Sequence, residues 1–423
     1  MKIAKVLLVL AALSALFMTT ARADEISDWN KNLFEAARLA VPPTSPLVIT
    51  RNGALVQSAV FDAVNGIERR YTPVHVDSAA PDGASKRAAA VQAAYAMLIR
   101  LYAPQTAALS AKRADSLAAI DDSQASIDLG IAWGQTVADA IWAWRLTDGI
   151  TPAPPPFLGG LNVGQWRPTP PGFLSGAGVQ FSYMTPWVIE SPSQFRPAGP
   201  PALTSDRYTA DFNETKTMGS LNSTSRTDDQ TLFSRFWAVS TASTYWNQIA
   251  NSLADKERFS FSKRARLLAS LNLAIADAAI GCWEAKYTYV FWRPVTAIPL
   301  ADTDGNPATI EDLSFTTLLI TPNHPEYPSG HSCVSGAAGE ILAMTFGQNK
   351  KITVSSDAPE MAGVVRSYKG FSEILEEIKD ARVFAGIHFR SACNAGQQLG
   401  TGVADYVKAN ALQRVDDDDD EDN

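Results

Sequence analysis

Imidazole is the side chain best suited to moving a proton or bonding a metal near neutral pH, and this chain has only four. Two of them, His324 and His331, lie in one stretch, residues 321–331, Thr-Pro-Asn-His-Pro-Glu-Tyr-Pro-Ser-Gly-His, which runs into a helix-like segment over 332–346. Pro328 halts what precedes it, Ser329 has the side chain of an N-cap, and Gly330 lets the backbone come close to a ligand. The stretch therefore reads as a loop that delivers a helix N-terminus, whose free N–H groups and positive dipole end favour an anion. His331, in the first turn, is placed to give that anion a proton or take one from it.

Two further segments carry charge that can meet the same ligand. Lys286 extends the apolar stripe Leu268, Leu271, Ile275, Ala279 and Cys282 of the longest helical periodicity, 262–289, and a lysine on a buried face needs a carboxylate or a bound anion. That helix is expected to end near Trp292, ahead of Pro294, with Arg293 two turns beyond Lys286 so that both lean toward one point. Arg382 and His388 are six residues apart, about 120° around a regular helix, so their convergence requires the long arginine arm or a break near Gly386. Together the segments offer three cations, a hydroxyl, helix amides and two imidazoles. That set suits a tetrahedral or trigonal oxyanion, with one histidine for acid–base work and the other as nucleophile or metal ligand. No Ser-His-Asp hydrolase elbow or phosphate-binding loop competes with it.

The elements that must position these residues are helices. Apolar spacing predicts helices over 29–40, 53–68, 86–102, 106–120 and 126–146, then over 227–239, 244–254 and 262–289, and a last long one over 371–411. Alternating strand patterns are nearly absent, so the class is mainly α. Asp62 and Asn65, inside the second helix, are expected to face solvent or pack between helices, with a supporting role at the site as the alternative; His75 reads as a loop histidine. Between 151 and 201 prolines crowd in, which forbids regular helix, yet Trp166, Phe173, Phe181, Tyr183, Trp187 and Phe195 are more than a flexible linker carries. This predicts an ordered connection across the bundle, packing against it or walling a substrate entrance. The chain thus divides into a leader (1–23), an N-terminal helical region (24–150), the connection (151–204), a C-terminal helical catalytic bundle (205–415) and an acidic tail (416–423).

Composition bounds the setting. With 423 residues, 46% of them hydrophobic, the chain can bury a sizeable core. Net charge is −8, but the seven acids of 416–422 supply most of it and the body stays acidic, which argues against a nucleic-acid surface. A basic start at Lys2 and Lys5, an apolar run over 6–18 and the small-x-small pattern of Ala21-Arg22-Ala23 predict a signal peptide cut after Ala23, hence an exported, periplasmic or secreted protein. No other segment reads as long and apolar enough to span a bilayer. Three cysteines, Cys282, Cys333 and Cys393, fit no zinc spacing.

At this point the chain resembles the vanadium-dependent haloperoxidase and type 2 phosphatidic acid phosphatase superfamily. Lys286 to Pro294 matches its Lys-x6-Arg-Pro, and Pro328 to His331 its Pro-Ser-Gly-His. Arg382 and His388 match Ser-Arg-x5-His-x3-Asp with two departures, Ala381 for the serine and Ala392 for the aspartate. Further likeness to the secreted bacterial haloperoxidase branch runs through residues 61–65, 164–169, 291–297 and 385–390. The resemblance implies an all-helical double bundle and vanadate held by Lys286, Arg293, Ser329, Gly330 and Arg382. It also implies His388 as metal ligand and His331 as the acid–base residue, with Lys286 counted in the catalytic set. Phosphate has the same shape, so a phosphatase in which His388 attacks a phosphate ester is the alternative to a haloperoxidase using hydrogen peroxide, halide and a small organic acceptor. A silent anion binder is disfavoured by His331, which mere binding does not need. Arg390, Trp292 and the long aromatic-rich N-terminal half favour the peroxidase. His324, seven residues before His331, marks the position where the family's histidine accompanies bromide oxidation, which implies bromide, and iodide more easily still, with an ordinary loop histidine as the alternative. Without a carboxylate at 392, His388 must find another acceptor. Because each cysteine lies beside a motif, a Cys333–Cys393 disulfide clamping the two histidine segments is expected.

Overall fold

The computed structural model describes residues 24–415; the expected leader and acidic tail lie outside the described residues. In order the helices are α1 (Glu25–Leu39), α2 (Pro46–Glu68), α3 (Lys86–Leu101), α4 (Thr106–Ala118), α5 (Gln124–Arg145), α6 (Asp206–Gly219), α7 (Asp228–Val239), α8 (Ala242–Lys256), α9 (Phe261–Tyr289), α10 (Pro294–Ala297), α11 (Gly330–Phe346), α12 (Phe371–Phe384) and α13 (Arg390–Asn410). A short antiparallel hairpin, β1 (Ile352–Ser355) with β2 (Val365–Tyr368), interrupts them. Its four-residue strands are too short for alternation to stand out in sequence.

Most helix starts follow from local chemistry. Ser45 caps α2 by accepting the Val48 N–H, and Pro46 fills the first helical position, so the helix begins seven residues ahead of the expected Gly53. The cap residues Ser85, Ser123, Thr227 and Ser260 do the same for α3, α5, α7 and α9.

Helix α9 is the axis of the molecule. It packs against α2 on one side and against α11 and α13 on another; α3 and α5 back α2, while α12 and α8 flank α11. One continuous apolar core runs through residues of both the N-terminal region and the C-terminal bundle. By length and hydropathy α9 does qualify as a bilayer span, contrary to the sequence reading, but its most apolar window is 89% buried inside the protein. Its apolarity is that of a helix surrounded by other helices.

Two buried carboxylates tie loops to the central pair of helices. Asp62 of α2 accepts the N–H groups of Val74, His75 and Val76 at 2.7–2.9 Å. Asp277 of α9 accepts those of Trp187, Val188 and Ile189 at 2.7–3.0 Å. Asn65 exchanges two hydrogen bonds with the Tyr71 backbone. Asp62 and Asn65 are therefore packing residues, as is His75, stacked on Trp144 at 4.4 Å. The proline-rich connection is ordered: Trp166 is fully buried, and Arg145 donates to the Thr185 and Pro186 carbonyls.

Three expectations are corrected. Helix α9 ends at Tyr289, not near Trp292, because Val290 turns into the left-handed region (φ 49°) and the next residues pair with the connection through Trp166 N–H to Val290 O (2.7 Å) and Trp292 N–H to Gly164 O (2.9 Å). The long helix expected over 371–411 is two helices. Gly386, at φ 78°, breaks it where a Cβ would come within 2.4 Å of the Gly219 carbonyl. Finally, the three cysteines are free and buried, so Cys333 and Cys393 form no disulfide. Cys333 faces Cys282 across the α9–α11 contact, while Cys393 neighbours the hydroxyls of Ser329 and Ser332.

Candidate active site

The break at Gly386 is what brings His388 back to the loop before α11. His388 is buried at the start of α13, and its two ring nitrogens have different partners. Nε2 lies 3.1 Å from Arg293 Nη1, and since a guanidinium only donates, Nε2 is the unprotonated acceptor. Nδ1 therefore carries the proton and donates to Glu326 Oε1 at 2.9 Å. The same oxygen accepts the Phe389 N–H at 2.9 Å, so Glu326 fixes both the ring and the start of α13.

Glu326 is the acceptor that the loss of a carboxylate at position 392 calls for, and the sequence reading passed it over although it lies in the central stretch. Ala392 is fully buried, and its carbonyl receives the Ser329 N–H at 3.0 Å. The available signal was a glutamate among prolines with no helix of its own to solvate it. Asp211 of α6 is a second unforeseen residue; it accepts the Ser391 N–H at 3.0 Å and completes the capping of α13. Arg390, beside them, is tied to Glu214 and Asp380 and holds α13 to α6 and α12.

Lys286 and Arg293 are fully buried and organise the loop from behind. All three hydrogens of the Lys286 ammonium are met by backbone carbonyls, those of Pro325 (2.9 Å), Glu326 (3.0 Å) and Pro328. Arg293 donates to the carbonyls of His324 (2.9 Å) and Ile387 (2.7 Å) as well as to His388. It also donates to His324 Nδ1 at 3.0 Å, which leaves the proton of that ring on Nε2. The Pro325 carbonyl, 3.2 Å from the same Nδ1, is then a contact between two acceptors.

Arg382 differs from both. It is 3% exposed, and its Nε and Nη1 make no hydrogen bond. His331 Nε2 in the same cavity, and the Ser329 hydroxyl, are also without a hydrogen-bond partner among the described residues. Helix α11 starts at Gly330 as the sequence predicts, but the Ser329 side chain makes no capping bond and stays free. A Cβ at Gly330 would come within 3.1 Å of the Trp283 ring, so glycine keeps this end open.

Burial sets the charges. It lowers Lys286 to about 8 and Arg293 and Arg382 to about 10, and raises Glu326 to about 8. It also holds His324, His331 and His388 well below the ordinary histidine value, a direction reinforced by the neighbouring cations. Neutral imidazoles and buried cations thus surround one polar floor. It lies in a cavity of about 390 Å³ lined by Gly330, His331, Arg382, His388 and His324, with Trp283 against His324 at 4.9 Å between ring centroids. Every residue expected at the site from sequence converges here, with Lys286, Arg293 and Ser329 behind the lining.

Residues 266–417 match the model of the VCPO second helical-bundle domain. The structure superposes with a TM-score of 0.79, at 26% identity, on the first bacterial vanadium-dependent iodoperoxidase, covering 92% of this chain and 97% of that one. The fold of this chain is that of the vanadium haloperoxidases. Vanadium chloroperoxidase of Curvularia inaequalis is 27% identical over 271 residues, 48% of this chain and 44% of that protein, so the chain spans under half the length of this curated relative. A holo-type bacterial vanadium-dependent chloroperoxidase shares the fold at a TM-score of 0.67 and 18% identity, over 89% of this chain and 96% of that one. The vanadium haloperoxidase fold thus accounts for the helical architecture around α9.

Proposed function

We propose that the protein is an exported vanadium-dependent haloperoxidase that uses hydrogen peroxide to oxidise bromide or iodide. The observation that carries this is Arg382: a buried guanidinium whose Nε and Nη1 have no acceptor among the described residues shares one cavity with the unpaired Nε2 of His331 and with Gly330 at the start of α11, next to the Ser329 hydroxyl that makes no capping bond, and this is a cradle for an anion. Vanadate fits this donor set. Arg382, Ser329 Oγ and the Gly330 amide would hold its oxygens, and His388 Nε2 would bond the metal once Arg293 yields that nitrogen. Bound vanadate supplies the Lewis acidity that makes peroxide an electrophilic oxygen donor to halide.

The chain's own residues do the rest. Glu326 keeps the His388 proton on Nδ1, so Nε2 keeps its lone pair, which accepts from Arg293 until a ligand takes it. His331, neutral and unpaired at Nε2, accepts a proton from incoming peroxide and returns it to the leaving oxygen. Lys286 braces the Pro325–Pro328 carbonyls and adds positive charge behind the floor. His324 offers its Nε2–H in the same cavity, a donor suited to a halide. The overall change is H2O2 + Br⁻ + H⁺ → HOBr + H2O. The signal-like leader, with cleavage after Ala23, supports export; intact-mass measurement on secreted protein beginning at Asp24 is the check.

A phosphatase reading has one observation in its favour: a histidine with an unprotonated Nε2 and a carboxylate on Nδ1 is also a phosphoryl acceptor. Dividing one metal-free batch decides. One half receives vanadate, peroxide and bromide; the other receives a chromogenic phosphate monoester. Halogenation that depends on vanadate is expected, and efficient ester hydrolysis without bromide oxidation would overturn the proposal.

A further inference from the structure

Two buried thiols stand behind the polar floor and take no part in the chemistry proposed for it. Cys282 of α9 and Cys333 of α11 are both fully buried and free. Their side chains come within hydrogen-bonding reach of each other where the two helices pack. The Cys282 sulfur also lies 3.8 Å from the Pro328 carbonyl, the same oxygen that accepts from Lys286. On α9 Cys282 falls between Ala279 and Trp283, and on α11 Cys333 falls between Gly330 and Val334; all four of these neighbours line the cavity. The pair therefore sits close behind the cavity wall. Hydrogen peroxide is little larger than water, so small side-chain fluctuations are enough to admit it.

The three thiols are not equivalent. Burial opposes ionisation of Cys282, but the Cys333 thiol and the cations Lys286 and Arg293 outweigh it and hold Cys282 below its ordinary value. Burial pushes Cys333 well above that value. A sulfur disposed to form thiolate beside a second thiol is the arrangement of an attacking and a resolving cysteine. Cys393, pushed up to about 11 by burial, neighbours the Ser329 and Ser332 hydroxyls instead.

On the haloperoxidase reading, which brings peroxide to the cavity, we propose that Cys282 and Cys333 are a peroxide-closed dithiol, whose disulfide fastens α9 to the start of α11 and spares both sulfurs irreversible oxidation. The Cys282 thiolate attacks one peroxide oxygen, the O–O bond breaks, and the hydroxide leaves with the thiol proton as water, giving a sulfenic acid. The Cys333 sulfur then attacks the Cys282 sulfur and displaces its oxygen as a second water. The sum is 2 RSH + H2O2 → RSSR + 2 H2O, in which each sulfur gives up one electron and peroxide takes both.

The test treats folded, vanadate-free protein with graded hydrogen peroxide, alkylates the remaining thiols as the chain is unfolded, and reads the product by intact mass and peptide mapping. Protein not exposed to peroxide is expected to show three alkylated thiols. The treated protein is expected to have lost two hydrogens, to carry a Cys282–Cys333 crosslink with Cys393 alkylated, and to regain three thiols with dithiothreitol. Cys333→Ser is expected to gain oxygen at Cys282 at doses where the wild type gains none on either sulfur. Three alkylatable thiols at a dose that converts the exposed Met344 to its sulfoxide, a crosslink that includes Cys393, or stable oxygen addition at Cys282 of the wild type would overturn the inference. The wild-type map needs no variant, so a Cys333→Ser chain that failed to fold leaves it standing. With neither vanadate nor halide present, the crosslink is read whether or not the haloperoxidase reading holds, and bromide oxidation reports that reading separately.

Discussion

Arg382 sits at 3% exposure with no acceptor on Nε or Nη1 among the described residues, so the anion-free protein bears a desolvation cost that these two nitrogens do not recover. Arg382→Met is therefore expected to raise the melting temperature of the anion-free protein and to remove the rise that vanadate or phosphate gives the wild type. A variant less stable than wild type that still responded to the anion would reduce the arginine to packing. Glu326 acts one bond further back, through the His388 ring and the Phe389 amide. Glu326→Ala should weaken vanadate about 10–100-fold in a calorimetric titration, the usual effect of deleting a partner of a ligating histidine. Glu326→Gln should cost less, since its amide oxygen can still accept from Nδ1. The two site histidines should separate by role. His388→Ala is expected to abolish vanadate binding, whereas His331→Ala keeps binding largely in place and loses about 10²–10⁴-fold in turnover. Equal loss of binding in both would undo the assignment.

At the scale of elements, the site depends on interruptions in helices as much as on helices. Gly386 stops α12 and α13 from being one rod and turns His388 toward Glu326, with the Gly219 carbonyl pressed against the place a side chain would need. Gly386→Ala is expected to destabilise the fold by more than about 1 kcal/mol, because the left-handed backbone and the contact both resist a Cβ. Denaturant unfolding measures this; a neutral result would show that the turn relaxes freely. Asp62 and Asp277 hold loops by the same device, three consecutive amides on one buried carboxylate. Either aspartate changed to alanine leaves three donors without their acceptor, and a loss of at least about 2 kcal/mol is expected in the same measurement.

For the whole molecule, anion and fold are linked, since an oxyanion held only by the native arrangement stabilises it by mass action, by about 2.7 kcal/mol at a hundredfold excess over its dissociation constant. Thiol counting on unfolded, unreduced protein should find three free thiols, in keeping with the buried unpaired cysteines; a single free thiol would show that two of them pair. The sequence by itself determined the helical class, because apolar spacing is a property of neighbours along the chain, and helices such as 86–101, 106–118 and 228–239 form nearly where that spacing puts them. It also marked Lys286, Arg293, Ser329, Gly330, His331, Arg382 and His388 as candidates for one site, since their side-chain chemistry suits an anion wherever they meet. Tertiary structure alone decided how they divide their work. Whether Lys286 points at a ligand or at three carbonyls, and whether Arg382 has a counter-charge, depends on which loop lies across α9. The replacement of a missing carboxylate at 392 by Glu326, 66 residues earlier, was out of reach of the motif spacing for the same reason. A hydrogen bond needs proximity in space, and only the packed helices set that distance.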